Sequence, residues 1–364
     1  MKILLNMKFL LLTYQTHPLI NIGDYIQSLA AKQYLPKWGD ILLAERDELN
    51  TISLNEPSKV ILNGWFTYKP ENWPPHRNIQ PLFVAFHLNE TCRSNFFTPK
   101  AIEYMKQHEP IGCRDMDTVH VMKEHGIDAY FSGCLTLTLG ETYHSKERGD
   151  DIYIVDPLSY LPDNNSIKQV ILTLLYMIYY IRPVRMMFKK MKRDNPIRFG
   201  FSKVGIGQYL LWGRSYVYMR KCIDRSLLKK AHFITHIYDN KELPTDEERF
   251  RRAEELIKMY AKAKMVITSR IHCALPCLGL ETPVLFIKSK NDTPKSLCRF
   301  QGLESFFHVL NVFRDKPFMP EGFPKKIDEN TTWENKLNYK SFKEQLVSKC
   351  KAFINLEKDR TCNN

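Results

Sequence analysis

Residues Tyr260–Ile287, YAKAKMVITSRIHCALPCLGLETPVLFI, decide the fold. Met265–Thr268 is a β-branched apolar run of strand length. Leu275–Leu280 reads as a helix with Pro276 in its first turn, where a missing N–H does no harm. Thr282-Pro283 stops that helix before a second strand, Val284–Ile287. The unit leaves Arg270 and His272 two residues apart just past a strand end. In open α/β sheets, ligands bind beyond the carboxyl ends of the strands, and a helix N-terminus there favours anions. A permanently charged guanidinium fork beside an imidazole that titrates near neutrality suits a phosphate or carboxylate undergoing proton transfer. A surface Arg and a core His bonded to backbone would give the same spacing.

Working outward, short apolar runs alternate with helical periods. Lys8–Tyr14, Lys59–Asn63, Leu82–His87, Pro110–Cys113 and Ala129–Phe131 read as strands. Asp24–Gln33, Pro99–Gln107 and Asp115–His125 read as helices with a cap or a Pro start. Such alternation implies a mostly parallel, doubly wound sheet. The polar stretch GETYHSKERGDD after Leu139 is of linker length and marks a domain boundary. Beyond it, Asp151–Asp156, Ala231–His236 and Phe306–Leu310 read as strands. Ile167–Ile181, Ser215–Lys230, Thr245–Lys262 and Tyr339–Phe353 read as helices, the third capped by Thr245 or Asp246 with acids in its first turn.

A chain of 364 residues suggests two domains. Its net charge of +13 is uneven, since Arg182–Lys230 holds 14 Lys and Arg against Asp194 and Asp224. A globular enzyme with one basic face fits better than a binder of nucleic acid, whose aromatics would interleave with the cations. The nine cysteines form no C-x-x-C and point to reduced thiols in a cytoplasmic setting. The opening MKILLNMKFLLLTYQ lacks a small-residue cleavage site and reads as a first core strand. No apolar run reaches the roughly 18 residues of a membrane span.

Three further corners could carry chemistry. Asn21-Ile22-Gly23-Asp24-Tyr25-Ile26-Gln27 follows the first strand, with Gly23 permitting close approach and Asp24 opening a helix, although an ordinary Asx cap explains the same residues. It matches neither G-x-G-x-x-G nor a Walker loop. Gly112-Cys113-Arg114-Asp115-Met116-Asp117 resembles a metal-holding D-x-D, but both acids fall in a first helical turn, where they cap it without a metal. Arg114 projects from the strand end, and Ser132-Gly133-Cys134 makes a similar turn. His232 and His236 would share a strand face about 13 Å apart, too far for one metal, and no metal site is expected. His236 at the strand end is better placed for a ligand. Ile167–Ile181 followed by cations at 182, 185, 189, 190, 192 and 193 combines the two features of a helix on an anionic membrane surface.

Taken together, NIGDYIQ, IGCRDMDTVHVMKEHGIDAYFSGCLTLTL, THIYDN, the long block from EERFRRAEELIKMY to ETPVLFI, and FQGLESFF resemble the polysaccharide pyruvyl transferase family, in family order. The resemblance implies an α/β fold of two Rossmann-like doubly wound domains facing across a cleft, as in GT-B glycosyltransferases. The chain then divides into an acceptor-side domain at 1–145, a phosphoenolpyruvate-side domain at 150–330 with a basic helical region at 160–230 that the resemblance does not cover, and a helical tail at 331–364. It implies transfer of pyruvate from phosphoenolpyruvate, with no cofactor, onto two sugar hydroxyls, giving a cyclic ketal and phosphate. Ser269-Arg270-Ile271-His272 matches the family's S-R-[LI]-H motif, so His272 and Arg270 are the expected catalytic pair. Arg114, His236, Ser269, Asn21, Gly23, Asp24, Gln27 and Ser132 are the expected substrate contacts. A lipid-linked saccharide acceptor and a peripheral contact with the inner membrane face through 167–193 would fit the basic region. A nucleotide-sugar glycosyltransferase of the same shape is the rival.

Overall fold

The computed structural model describes residues 8–14, 19–36, 40–157, 167–195, 203–289, 298–313 and 315–355. The expectations for residues 1–7, for 160–166 and for the tail beyond 355 lie outside the described residues.

The first half contains β1 (Lys8–Thr13), β2 (Leu19–Asn21), α1 (Ile22–Lys32), β3 (Asp40–Glu45), β4 (Ser58–Phe66), β5 (Ile79–Leu88), the single turn α2 (Arg93–Phe96), α3 (Pro99–Gln107), β6 (Ile111–Cys113), α4 (Met116–Glu124), β7 (Ala129–Phe131) and the single turn α5 (Gly140–Tyr143). The second half contains β8 (Ile152–Val155), α6 (Ile167–Tyr179), α7 (Ile181–Asp194), α8 (Lys203–Cys222), α9 (Arg225–Lys230), β9 (His232–Ile234), β10 (Ile237–Asp239), α10 (Asp246–Ala261), β11 (Met265–Thr268), α11 (Ile271–Gly279), β12 (Val284–Ser289), β13 (His308–Phe313), β14 (Lys316–Phe318) and α12 (Lys340–Asn355).

Two six-stranded sheets result, ordered β3-β1-β4-β5-β6-β7 and β14-β13-β12-β11-β8-β9. All pairs are parallel except β13 with β14. Helices cover both faces, so central strands such as KFLLLT are buried almost throughout and read as continuous apolar runs. This is an α/β protein with two Rossmann-like sheets. Strand order reverses at β1 in one sheet and at β8 in the other, which makes these the topological switch points, and in open α/β sheets ligands bind at the carboxyl ends there.

Antiparallel pairing of β2 with β10 joins the halves directly, and the Ile22 N–H donates to the His236 carbonyl at 2.9 Å. Behind the seam one apolar core takes in residues of α1, α10, α11 and α12.

Four local readings need correction. Helix α11 begins at Ile271, because Arg270 holds extended backbone as its N-cap residue, and Pro276 therefore sits inside the helix. The expected Ser215–Lys230 helix is broken where Asp224 caps α9, accepting the Ser226 N–H at 2.7 Å. Strand β9 ends at Ile234, since Asp156 Oδ2 takes the His236 N–H at 2.8 Å and turns the chain. His232 and His236 therefore do not share a strand face, and His232 pairs instead with Asp151 and Asp194. Edge strand β3 was not anticipated, its short run DILLAE being bounded by acids.

Candidate active site

The crevice is lined from both halves. On the second-half side, β11 ends at Thr268 and α11 starts at Ile271, leaving Ser269 and Arg270 on the lip. Arg270 Nε donates to Asp156 Oδ2 at 2.9 Å, the same oxygen that takes the His236 N–H. Ser269 Oγ donates to the Asp156 carbonyl at 2.6 Å. Asp156 follows β8 in the left-handed region, with φ of 37°, a conformation that costs an aspartate little. One residue at a switch point thus fixes three of the expected ligand contacts. His236 is further tied through Nε2 to the Tyr260 hydroxyl at 2.8 Å.

His272 is the second residue of α11 and 8% exposed. Arg114 Nη1 donates to its Nε2 at 3.2 Å. Arginine has no acceptor atom, so this contact assigns the ring proton to Nδ1. Burial, then Arg114, Arg299, His236 and His87, hold the imidazole pKa well below its usual value, and His272 is neutral near pH 7. Arg114 itself follows β6 and is 2% exposed. Its neighbour Asp115 caps α4 by taking the Thr118 N–H at 2.9 Å and contacts His87 Nδ1 at 2.6 Å. Burial alone would raise the Asp115 pKa, but His87 and Arg114 pull it below the usual carboxylate range. The acid pair Asp115 and Asp117 is therefore structural, Asp117 being bonded to Arg93.

From the first half, Asn21 caps α1 by accepting the Gly23 N–H at 3.2 Å. Gly23 lies so near α11 that an added Cβ would stand 2.8 Å from the His272 Cβ. Two helix N-termini therefore abut at the crevice, and each favours negative charge. Asp24 is the carboxylate among the lining residues. Burial pushes its pKa up to about 6 although Arg46, Arg114 and Arg270 oppose the rise. Gln27 Nε2 donates to Asp24 Oδ1 at 3.1 Å. Arg46 pairs with Asp47 at 2.6 Å and lies against the rings of Tyr14, Trp65 and Tyr68. With Arg114, Arg270 and Arg299 it makes four guanidinium groups in one wall-to-wall site. Four forked donors in one crevice suit a small polyanion.

Of the residues singled out from sequence, Asn21, Asp24, Arg114, His236, Ser269, Arg270 and His272 line the crevice together. Gly23 serves the packing and Gln27 orients Asp24. Ser132 is not among the lining residues; its hydroxyl accepts the Ala85 N–H at 2.9 Å and donates to the Cys113 carbonyl at 3.0 Å. Sequence reasoning passed over Arg46, Asp156 and Arg299. An acid closing the strand DIYIVD was a usable signal for Asp156. Arg46 follows an edge strand that the sequence does not announce.

A model of the family described as polysaccharide pyruvyl transferase matches residues 21–291, a span that runs from Asn21 past His272. No curated protein matches the chain. The family match covers well over half of the 364 residues, and the chain belongs to the polysaccharide pyruvyl transferase family.

Proposed function

We propose that the protein transfers pyruvate from phosphoenolpyruvate to two hydroxyls of a saccharide, forming a cyclic ketal and releasing phosphate. The observation that supports this reading is the company Arg270 keeps: four guanidinium groups around a carboxyl that titrates near neutrality and a neutral imidazole. Arg270, Arg114, Arg46 and Arg299 hold the donor's phosphate and carboxylate. Asp24, half protonated near pH 6, gives a proton to C3 of the enol ether while a sugar oxygen bonds to C2. His272, neutral with its proton on Nδ1, takes that hydroxyl's proton at Nε2 as Arg114 turns to the donor, and returns it to the departing phosphate as the bond between C2 and the ester oxygen breaks. The second hydroxyl then closes on C2, and its proton restores Asp24. Atoms and charge balance over the cycle.

Donor charge also retunes the imidazole. Burial first, then Arg114 and Arg299, depress His272, and an anion that neutralises the two arginines relieves their share and raises its basicity. We place the acceptor, a lipid-linked saccharide, on the first-half side and the reaction at the cytoplasmic face of the membrane.

The test is incubation with phosphoenolpyruvate and a panel of lipid-linked sugars. A product heavier by one pyruvate less water, with a ketal methyl resonance and stoichiometric phosphate, is expected. Turnover of a nucleotide sugar with no phosphate released from phosphoenolpyruvate would overturn it.

A further inference from the structure

Helix α6 is apolar on the side that faces solvent. Ile167, Val170, Ile171, Leu174, Leu175 and Ile178 follow the i, i+3, i+4, i+7, i+8, i+11 spacing of one helical stripe, which in a soluble protein turns to the core. Here that stripe is exposed, from 43% at Leu174 to 80% at Ile167. The inward face is fixed by other contacts. Thr173 is buried and accepts from Arg214 Nη1 at 3.3 Å, and Arg214 is ion-paired with Asp315 at 3.3 Å. Met177 lies against Gly213, where an added Cβ would be 3.0 Å from its Cγ. The orientation of α6 is thus set by a buried polar link and a close helix approach.

Helix α7 turns away from α6 by 88°. Val184, Met187 and Met191 fasten it to the body, while Arg182, Arg185, Lys189 and Lys192 stand exposed at helical spacing. Tyr179, 79% exposed, sits at the corner between the two, the place of an aromatic at a membrane–water boundary. Among the described residues no single helix is long and apolar enough to cross a bilayer. Helix α6 has 13 residues. At 1.5 Å per residue that is about 20 Å, short of the roughly 30 Å hydrocarbon core. Lying in the plane of the boundary is the remaining way to bury the stripe. A second copy of the chain would bring the same cations to the contact, whereas an anionic lipid surface meets both the apolar and the charged helix.

We propose that α6 and α7 seat the protein on an anionic bilayer, the α6 stripe among the upper acyl chains and the α7 cations on lipid phosphates. The inference rests on surface exposure, independent of the pyruvyl-transfer reading.

The test uses the full chain, without substrate, and sedimentation with vesicles of phosphatidylcholine alone or with equal parts phosphatidylglycerol. Strong binding to the anionic vesicles alone is expected. Leu175→Glu with Ile178→Glu, and separately Lys189→Glu with Lys192→Glu, should each lower partitioning by on the order of tenfold or more, with thermal unfolding unchanged. Equal binding to both vesicles, no binding to either, or a vesicle-free dimer dispersed by the Leu175 and Ile178 changes would overturn it. Because no turnover is read, failure here leaves the catalytic reading standing, and the reverse.

Discussion

At Asp24 burial outweighs three arginines, and the carboxyl titrates near 6. A proton donor must be protonated to act, so kcat/KM should fall as pH rises above about 6, while the His272 limb lies well below 6.5. Asp24→Asn should cost about 10²–10⁴ in kcat and abolish the upper limb in a pH–rate profile. The native state carries this raised pKa, so it binds more protons than the unfolded chain between about 4 and 6 and loses stability as pH climbs through that window. Arg270 makes a different demand. Its Nε is committed to Asp156, leaving the rest of the fork for a ligand. A lysine cannot do both. Arg270→Lys should lower kcat/KM for the donor by roughly ten- to a hundredfold, read in steady-state kinetics at saturating acceptor. Undiminished kinetics would remove Arg270 from the donor site.

Elements carry these side chains by meeting end to end. The opening turns of α1 and α11 touch at Gly23 and His272. In Gly23→Ala the new methyl group cannot be accommodated by the tip of a flexible chain, because the obstacle is the His272 Cβ itself. We expect a folded protein, by circular dichroism, whose kcat falls about a hundredfold through displacement of His272. At this scale the sequence is informative in a selective way. The Ser269–His272 corner was legible because a β-branched run and a polar turn bracket it. The early acids announced α10, whose cap the sequence leaves between Thr245 and Asp246 and the structure gives to Thr245 in a full capping box. The acid ending DIYIVD was visible but its role was not, since that depends on a left-handed turn and on three neighbours far away in the chain. Arg46 was hidden behind an edge strand without periodic signal. In α6 the period told which residues share a face; whether that face looks inward was decided by Thr173, Arg214 and Gly213.

Across the molecule, two sheets of like topology place their switch points opposite one another, and β2 with β10 sews them together beside the crevice. The α/β alternation made both sheets readable, and the joint between them was not, because it pairs three-residue strands of opposite halves. Closure is completed from the far end of the chain. Helix α12 buries Leu346 and Cys350 in the shared core, sets Phe342 against Phe131 and Phe306, and ends where Lys59 Nζ donates to the Phe353 carbonyl at 3.0 Å. The first sheet therefore leaves the ribosome with its flank bare and waits for nearly the whole remaining translation before its cover arrives. A nascent chain stalled before α12 presents greasy, unfinished surface, a target for chaperones and proteases.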